Sequence, residues 1–195
     1  MKFFHLSTII RRMRNNIDAI KTKEGRWVTS SNHIRNLFFS SFKNLFTEEN
    51  VSFLENLMTS CITKEENVVL KKIPARDEIK GTLFQMQDLK APGLDGCPTL
   101  SYKEFWPTVG DAVTNAVISF FTHRSLPGEA INSLIVLTPK TTNPTSINSF
   151  HPISLCNVIY KIISKLLVTK LRPLLHKIIS PCQSAFIPGR WIAKN

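Results

Sequence analysis

Apolar positions repeat at helical spacing over most of this chain and form short strand-like runs only in its last third. Ile34, Leu37, Phe38, Phe42, Leu45 and Phe46 fall three or four residues apart, one stripe on a helix that Ser31 caps. Just before it, Ile17–Lys23 and Arg26–Thr29 flank Lys23-Glu24-Gly25, where Gly25 supplies a positive φ, so a hairpin is predicted. His5–Ile20 predicts a helix with Arg11, Arg12 and Arg14 on its polar side, and Val51–Met58 a short one. Thr63 and Glu66 have the spacing of a capping box. Pro74 opens the next helix, with Asp77 and Glu78 placed to favour its dipole and Ile79, Leu83 and Met86 on its buried side.

Lys90–Gly96 (KAPGLDG) holds two turn dipeptides in tandem, Pro92-Gly93 and Asp95-Gly96, and is predicted to be a loop. Thr99–His123 reads as helix divided by Pro107 and stopped at Pro127-Gly128. Ser133–Thr138 (SLIVLT) is the clearest strand, with Lys140 just past its end. A Thr/Asn/Pro/Ser loop, Thr141–Ser149, leads to a second short strand at Pro152–Leu155. Asn157–Arg172 is the strongest helix. Its apolar face is Val158, Ile159, Ile162, Ile163, Leu166, Leu167 and Leu171, and Lys161 and Lys165 stand one turn apart on another face. The predicted fold class is α+β, mostly helical.

With 195 residues, 43% hydrophobic and 20% charged, the composition is that of a globular chain and excludes a disordered or collagen-like one. No stretch approaches the roughly 18 apolar residues of a membrane span, so no membrane partner is expected. In Met1–Arg14 the arginines follow the apolar positions, the reverse of a secretory signal, and an intracellular product of nucleus or cytoplasm is expected. Cys61, Cys97, Cys156 and Cys182 lie too far apart for a C-x-x-C site and read as reduced thiols.

Charge changes the picture more. Lysine and arginine number 25 against 14 acids, a net +11 that favours a polyanionic partner. The surplus is uneven: residues 1–50 carry +5, residues 51–129 carry −2, and residues 130–195 carry +8 with no acid after Glu129. The last segment should present a positive surface and supplies no carboxylate for a metal.

Tests for specific chemistry are mostly negative. No G-x-S-x-G, H-E-x-x-H or Walker loop is present, and His5, His33, His123, His151 and His176 are scattered. One constellation remains. Lys140 follows one strand, and His151 lies eleven residues on, before the next strand and a basic helix. Pairing of the two strands would bring both side chains to one face, where two cations suit a phosphate chain. On spacing alone, Lys140 reads sooner as a solubilising loop tip than as a phosphate ligand.

Lys90–Gly96 (KAPGLDG), Ile135–Lys140 (IVLTPK), Phe150–Cys156 (FHPISLC), Tyr160–Leu171 (YKIISKLLVTKL) and Gln183–Arg190 (QSAFIPGR) resemble, in order, the reverse transcriptase of plant LINE-type (non-LTR) retrotransposons. Lys2–Asn16 is similar to the segment joining endonuclease to polymerase in those elements. The resemblance implies a partial right-hand polymerase. Residues 1–72 would be a helical linker region with a hairpin. Residues 73–195 would be the fingers and the approach to the palm, truncated before the catalytic palm motifs. It further implies that Lys140 and the position of His151 line the incoming-nucleotide site. Lys161, Lys165, Gln183 and Arg190 would lie near the template, with Arg11, Arg12 and Arg14 as further nucleic-acid contacts. The implied partners are an RNA template or DNA, and the palm and thumb of the same polyprotein.

The sequence departs from the family at several points. His151 stands where the family has arginine, losing a permanent charge and a bidentate fork. Leu94 replaces a proline, Thr138 an isoleucine, and Lys194 an acid. The aspartates that hold two magnesium ions in the complete enzyme come after the PGR segment, where this chain stops. Met1 likewise falls inside the family's domain. No catalytic or metal-binding residue and no cofactor is therefore expected here, and the fragment is expected not to polymerise alone. The alternatives are a non-catalytic nucleic-acid-binding module and a pseudogene remnant.

Overall fold

The computed structural model describes residues 16–47, 61–126, 128–180, 182, 183, 187, 189 and 190. The helix predicted around Arg11, Arg12 and Arg14 and the one at 51–58 lie outside the described residues. The chain divides into two compact units. One joins residues 16–47 to Ile135–Ser154; the other takes the described residues from 61 to 134 and from 155 onward. The strand pair from the last third thus folds with the amino-terminal helix.

The first unit starts with β1 (Ile20–Lys21) and β2 (Trp27–Val28), antiparallel with Ile20 opposite Val28 and Lys21 opposite Trp27. The predicted turn closes them, with Gly25 at φ +83° and its N–H donating to Thr22 O at 3.0 Å. α1 (Ser31–Phe46) follows, with Ser30 rather than Ser31 at the N-cap and no side-chain cap bond. Ile20, Ile34, Phe38 and Phe150 are its buried core. The apolar stripe of α1 is buried only in its first half. Phe38 meets Phe150 edge to face at 5.3 Å, whereas Leu45 and Phe46 remain 67% and 62% exposed. Ile34 and Phe38, one turn apart, are the buried residues of α1, whereas a sixteen-residue helix is about 24 Å long.

β3 (Ser133–Pro139) and β4 (Phe150–Cys156) pair in a second two-stranded sheet. Lys140 N–H donates to Ser149 O at 2.8 Å, and the Thr138 hydroxyl donates to His151 O at 3.4 Å. The contacts advance along one strand while retreating along the other, the antiparallel sense. Lys21 N–H donates to Thr145 O at 2.8 Å, which ties the connecting loop to the hairpin.

The second unit is helical: α2 (Lys64–Lys71), α3 (Arg76–Phe84), α4 (Thr99–Glu104), α5 (Trp106–His123), α6 (Gly128–Ile131), α7 (Val158–Leu171) and α8 (Leu175–Ile178). α2 has the predicted capping box in full: Thr63 Oγ1 accepts from Glu66 N–H at 3.2 Å, and Thr63 N–H donates to Glu66 Oε2 at 3.0 Å. Pro107 sits in the first turn of α5, where its missing N–H costs no helical bond, so the helix breaks at Phe105 instead. Ile79, Leu83, Trp106, Val113, Val117, Leu126, Val158, Ile162, Ile163 and Leu166 form one continuous core. The apolar face of α7 is narrower than its sequence pattern, with Leu167 and Leu171 exposed.

Candidate nucleic-acid interface

The β3–β4 sheet of the first unit positions the two residues singled out for a phosphate chain. Leu137 packs against the core and Phe150 lies within it, so these positions face inward. Side chains alternate along a strand, which turns Thr138 and Lys140 outward on one strand and His151 outward on the other. Lys140 and His151 are both exposed, and the register makes them diagonal neighbours on the outer face. The intervening loop is braced: Ser146 and Ser149 share a hydroxyl–hydroxyl bond of 2.9 Å, and Ile147–Ser149 forms a 3₁₀ turn that delivers the chain to Phe150. Among the described residues neither Lys140 nor His151 has an ion-pair partner.

The basic groups of the second unit are placed differently. Lys161 Nζ donates to Ala91 O at 2.8 Å. That bond fastens the KAPGLDG loop to the start of α7. Asn157, at the N-cap of α7, makes no cap bond within its helix. Its amide Nδ2 donates instead to Glu129 O at 2.9 Å, and its Oδ1 accepts from Asp95 N–H at 3.4 Å. Gly93 is buried against this cap. A Cβ there would stand 2.5 Å from Asn157 N and 2.6 Å from Cys156 C, so the glycine is required by close approach. The loop thus folds onto the helix, and Leu94, Asp95, Glu129, Ala130, Asn132, Asn157 and Ile159 line a cleft of about 410 Å³ beside it. Asp95 also accepts from Cys97 N–H at 3.1 Å and from the Tyr102 hydroxyl at 3.4 Å. Burial first, and then the Asp95 charge, push the Tyr102 phenol up to about 12.

Lys165 lies one turn beyond Lys161, half-buried and without an ion pair among the described residues. Lys170 lies over the Phe121 ring at 5.1 Å and donates to the carbonyls of Leu70 and Lys72. Arg190 turns its guanidinium onto four carbonyls around the end of α8: Ser180 at 2.6 Å, Gln183 at 2.9 Å, Ile179 at 3.0 Å and His176 at 3.4 Å. Gln183 is exposed, its own N–H donating to Ser180 O at 3.0 Å. Lys177 pairs with Glu66, and together with the Thr63 backbone N–H it holds that carboxyl below its ordinary range. Arg11, Arg12 and Arg14 lie outside the described residues. Lys140 and His151 therefore share a face, Lys161 and Lys165 share a helix, and Gln183 and Arg190 share a carbonyl cluster.

Asn157 escapes a reading by motif because its partners are main-chain atoms far away in sequence. Arg35 and Lys43 on α1 also escaped it, although α1 has no acidic residue in its sixteen positions. Among the described residues no group of three or more His, Cys, Asp and Glu side chains is placed to hold a metal ion. Nor is any described helix long and apolar enough to cross a membrane.

No family model matches the chain. The whole chain aligns, at 27% identity over 198 residues, with a Xenopus laevis protein described as "Transposon TX1 uncharacterized 149 kDa protein". The chain spans 15% of the length of that relative. The similarity relates the chain to a transposon protein.

Proposed function

We propose that this chain is the fingers and palm approach of a LINE-type retrotransposon reverse transcriptase, of the kind found in plants. In this reading the family activity is RNA-directed DNA synthesis. The chain holds nucleic acid and the phosphates of an incoming nucleotide but does not carry out polymerisation by itself. The observation that carries the reading is the outer face of the β3–β4 sheet. There Lys140 and His151 stand exposed as diagonal neighbours, without an ion pair among the described residues, in a chain whose full length aligns with a transposon protein. Lysine contributes a permanent charge to a triphosphate. Neutral imidazole contributes one donor at most, so the pair is weaker than the lysine–arginine pair of the family. Two magnesium ions belong to the complete enzyme of that family, and residues 130–195 hold no Asp or Glu.

The test is binding of a labelled deoxynucleoside triphosphate, together with primer extension on an RNA template in magnesium. The expected result is weak triphosphate binding, lost in Lys140→Ala and tightened about tenfold in His151→Arg, without extension. Extension by the chain alone, or triphosphate binding indifferent to both substitutions, overturns the proposal. A second reading, a non-catalytic module that binds RNA or DNA through phosphates, is favoured by the net +8 of residues 130–195. It predicts affinity that falls steeply with salt.

A further inference from the structure

The inner side of the same sheet carries a second surface. Phe38, Phe39, Phe42 and Phe46 of α1, with Ile135 and Leu137 of β3, line an open groove of about 400 Å³. Its two remaining lining residues are Arg35 and Lys43. We propose that this groove binds unpaired bases of single-stranded RNA or DNA, with Arg35 and Lys43 on the flanking phosphates. The inference rests on the reading that the chain handles nucleic acid, and it adds a base-contacting site on the face of the sheet opposite Lys140 and His151.

Three observations choose this occupant over an apolar protein segment. The first is the lining, which is aromatic and ordered. The rings of Phe38 and Phe42 lie 6.1 Å apart and within 15° of parallel, and those of Phe42 and Phe46 lie 6.1 Å apart and within 20°. Phe39 and Phe46 stay 67% and 62% exposed, offering free faces for stacking. The second is the rim, which has only one sign of charge. Arg35, Phe39 and Lys43 follow at four-residue steps along α1, and α1 contains no acid. Neither cation has an ion-pair partner among the described residues. The third is the unit as a whole, whose described residues carry six lysines and arginines against Asp18 and Glu24. Aromatic faces beside a cationic track form the general surface for an unpaired strand, because every base has a π-face and every linkage a phosphate.

The test compares an oligouridylate with an abasic oligonucleotide of equal length and with a duplex, by fluorescence anisotropy on the full chain. The single strand with bases is expected to bind about tenfold or more tighter than the abasic one. Phe39→Leu with Phe46→Leu should abolish that preference while leaving abasic binding unchanged. Leucine keeps the groove apolar, and the circular dichroism melt reports whether the fold is intact. Arg35→Gln and Lys43→Gln should each lower the salt slope by about one. Equal binding of abasic and base-bearing strands overturns the groove but leaves phosphate binding standing. Absence of nucleic-acid binding at any salt overturns the broader reading as well. If the leucine pair leaves base preference intact but changes the oligomeric state, the face is a protein contact and the inference fails.

Discussion

The two units place several of their cations in opposite ways. In the helical unit Lys103, Lys161, Lys170, Lys177 and Arg190 point back into the protein, onto carbonyls of loops and helix ends or onto Asp88 and Glu66. Lys161, Lys170 and Lys177 act as clamps between segments 70 or more residues apart. In the sheet-and-hairpin unit Arg35, Lys43 and Lys140 have no ion pair among the described residues and line surfaces that a ligand can reach. A net charge counted along the chain therefore does not say which cations face a partner. The cores differ as well: ten buried apolar residues pack together in the helical unit and four in the smaller one, where α1 keeps an open face.

The largest test of this contrast is removal of core volume. Ile162→Ala, at a fully buried position, should cost about 2–5 kcal/mol in urea unfolding. Phe46→Ala, at the open end of α1, should cost less than about 0.5 kcal/mol. Comparable losses would mean that the groove is core. Next is Gly93→Ala, whose methyl group would intrude on the α7 cap; a loss of about 1–3 kcal/mol is expected. An unchanged melt would show that the loop is not seated there.

A clamp and a free cation should then behave differently. Lys170→Met takes the ammonium away from the Phe121 ring and leaves two carbonyls without their donor, for a loss of about 1 kcal/mol and no change in the salt dependence of nucleic-acid binding. Lys140→Gln should do the reverse, with a melt within about 0.5 kcal/mol of the parent and a salt slope reduced by about one. The smallest effect is on pH dependence. The Tyr102 phenol is raised to about 12, so ultraviolet titration should find a tyrosine that ionises well after a free one. Its folded value lies above the unfolded value of about 10. The associated stability is complete below pH 10 and is lost as pH rises toward 12. Glu66, held low chiefly by Lys177, has the opposite sign. Its contribution is present above its ordinary value and fades as pH falls through the depressed one, and Glu66→Gln should flatten that acid limb.

What the sequence made legible is what is local. The capping box at Thr63 and Glu66, the hairpin at Gly25, the strand at Ser133 and the helix after Asn157 are each set by neighbours a few residues apart. The outward pairing of Lys140 with His151 followed from two strands and a connecting loop. The fate of the other candidate cations was not legible. A carbonyl acceptor has no sequence signature, and the partners of Lys161 and Lys170 lie 70 and 98 residues away or more. The α1 stripe misled for a related reason. Periodicity says which residues share a face but not how much of that face finds a cover, and Leu45 and Phe46 find little. The grouping of β3 and β4 with α1 needed a long-range contact, Phe38 on Phe150, that no spacing announces.

That contact has a consequence during synthesis. Phe38 and Phe150 are separated by more than a hundred residues, so α1 leaves the ribosome long before the ring that covers it. Throughout that interval its phenylalanines are exposed, and closing so long a segment slows completion of the small unit relative to the largely helical one. Any message ending upstream of Phe150 would yield an aromatic helix without the ring that covers Phe38, a natural target for chaperones and proteases.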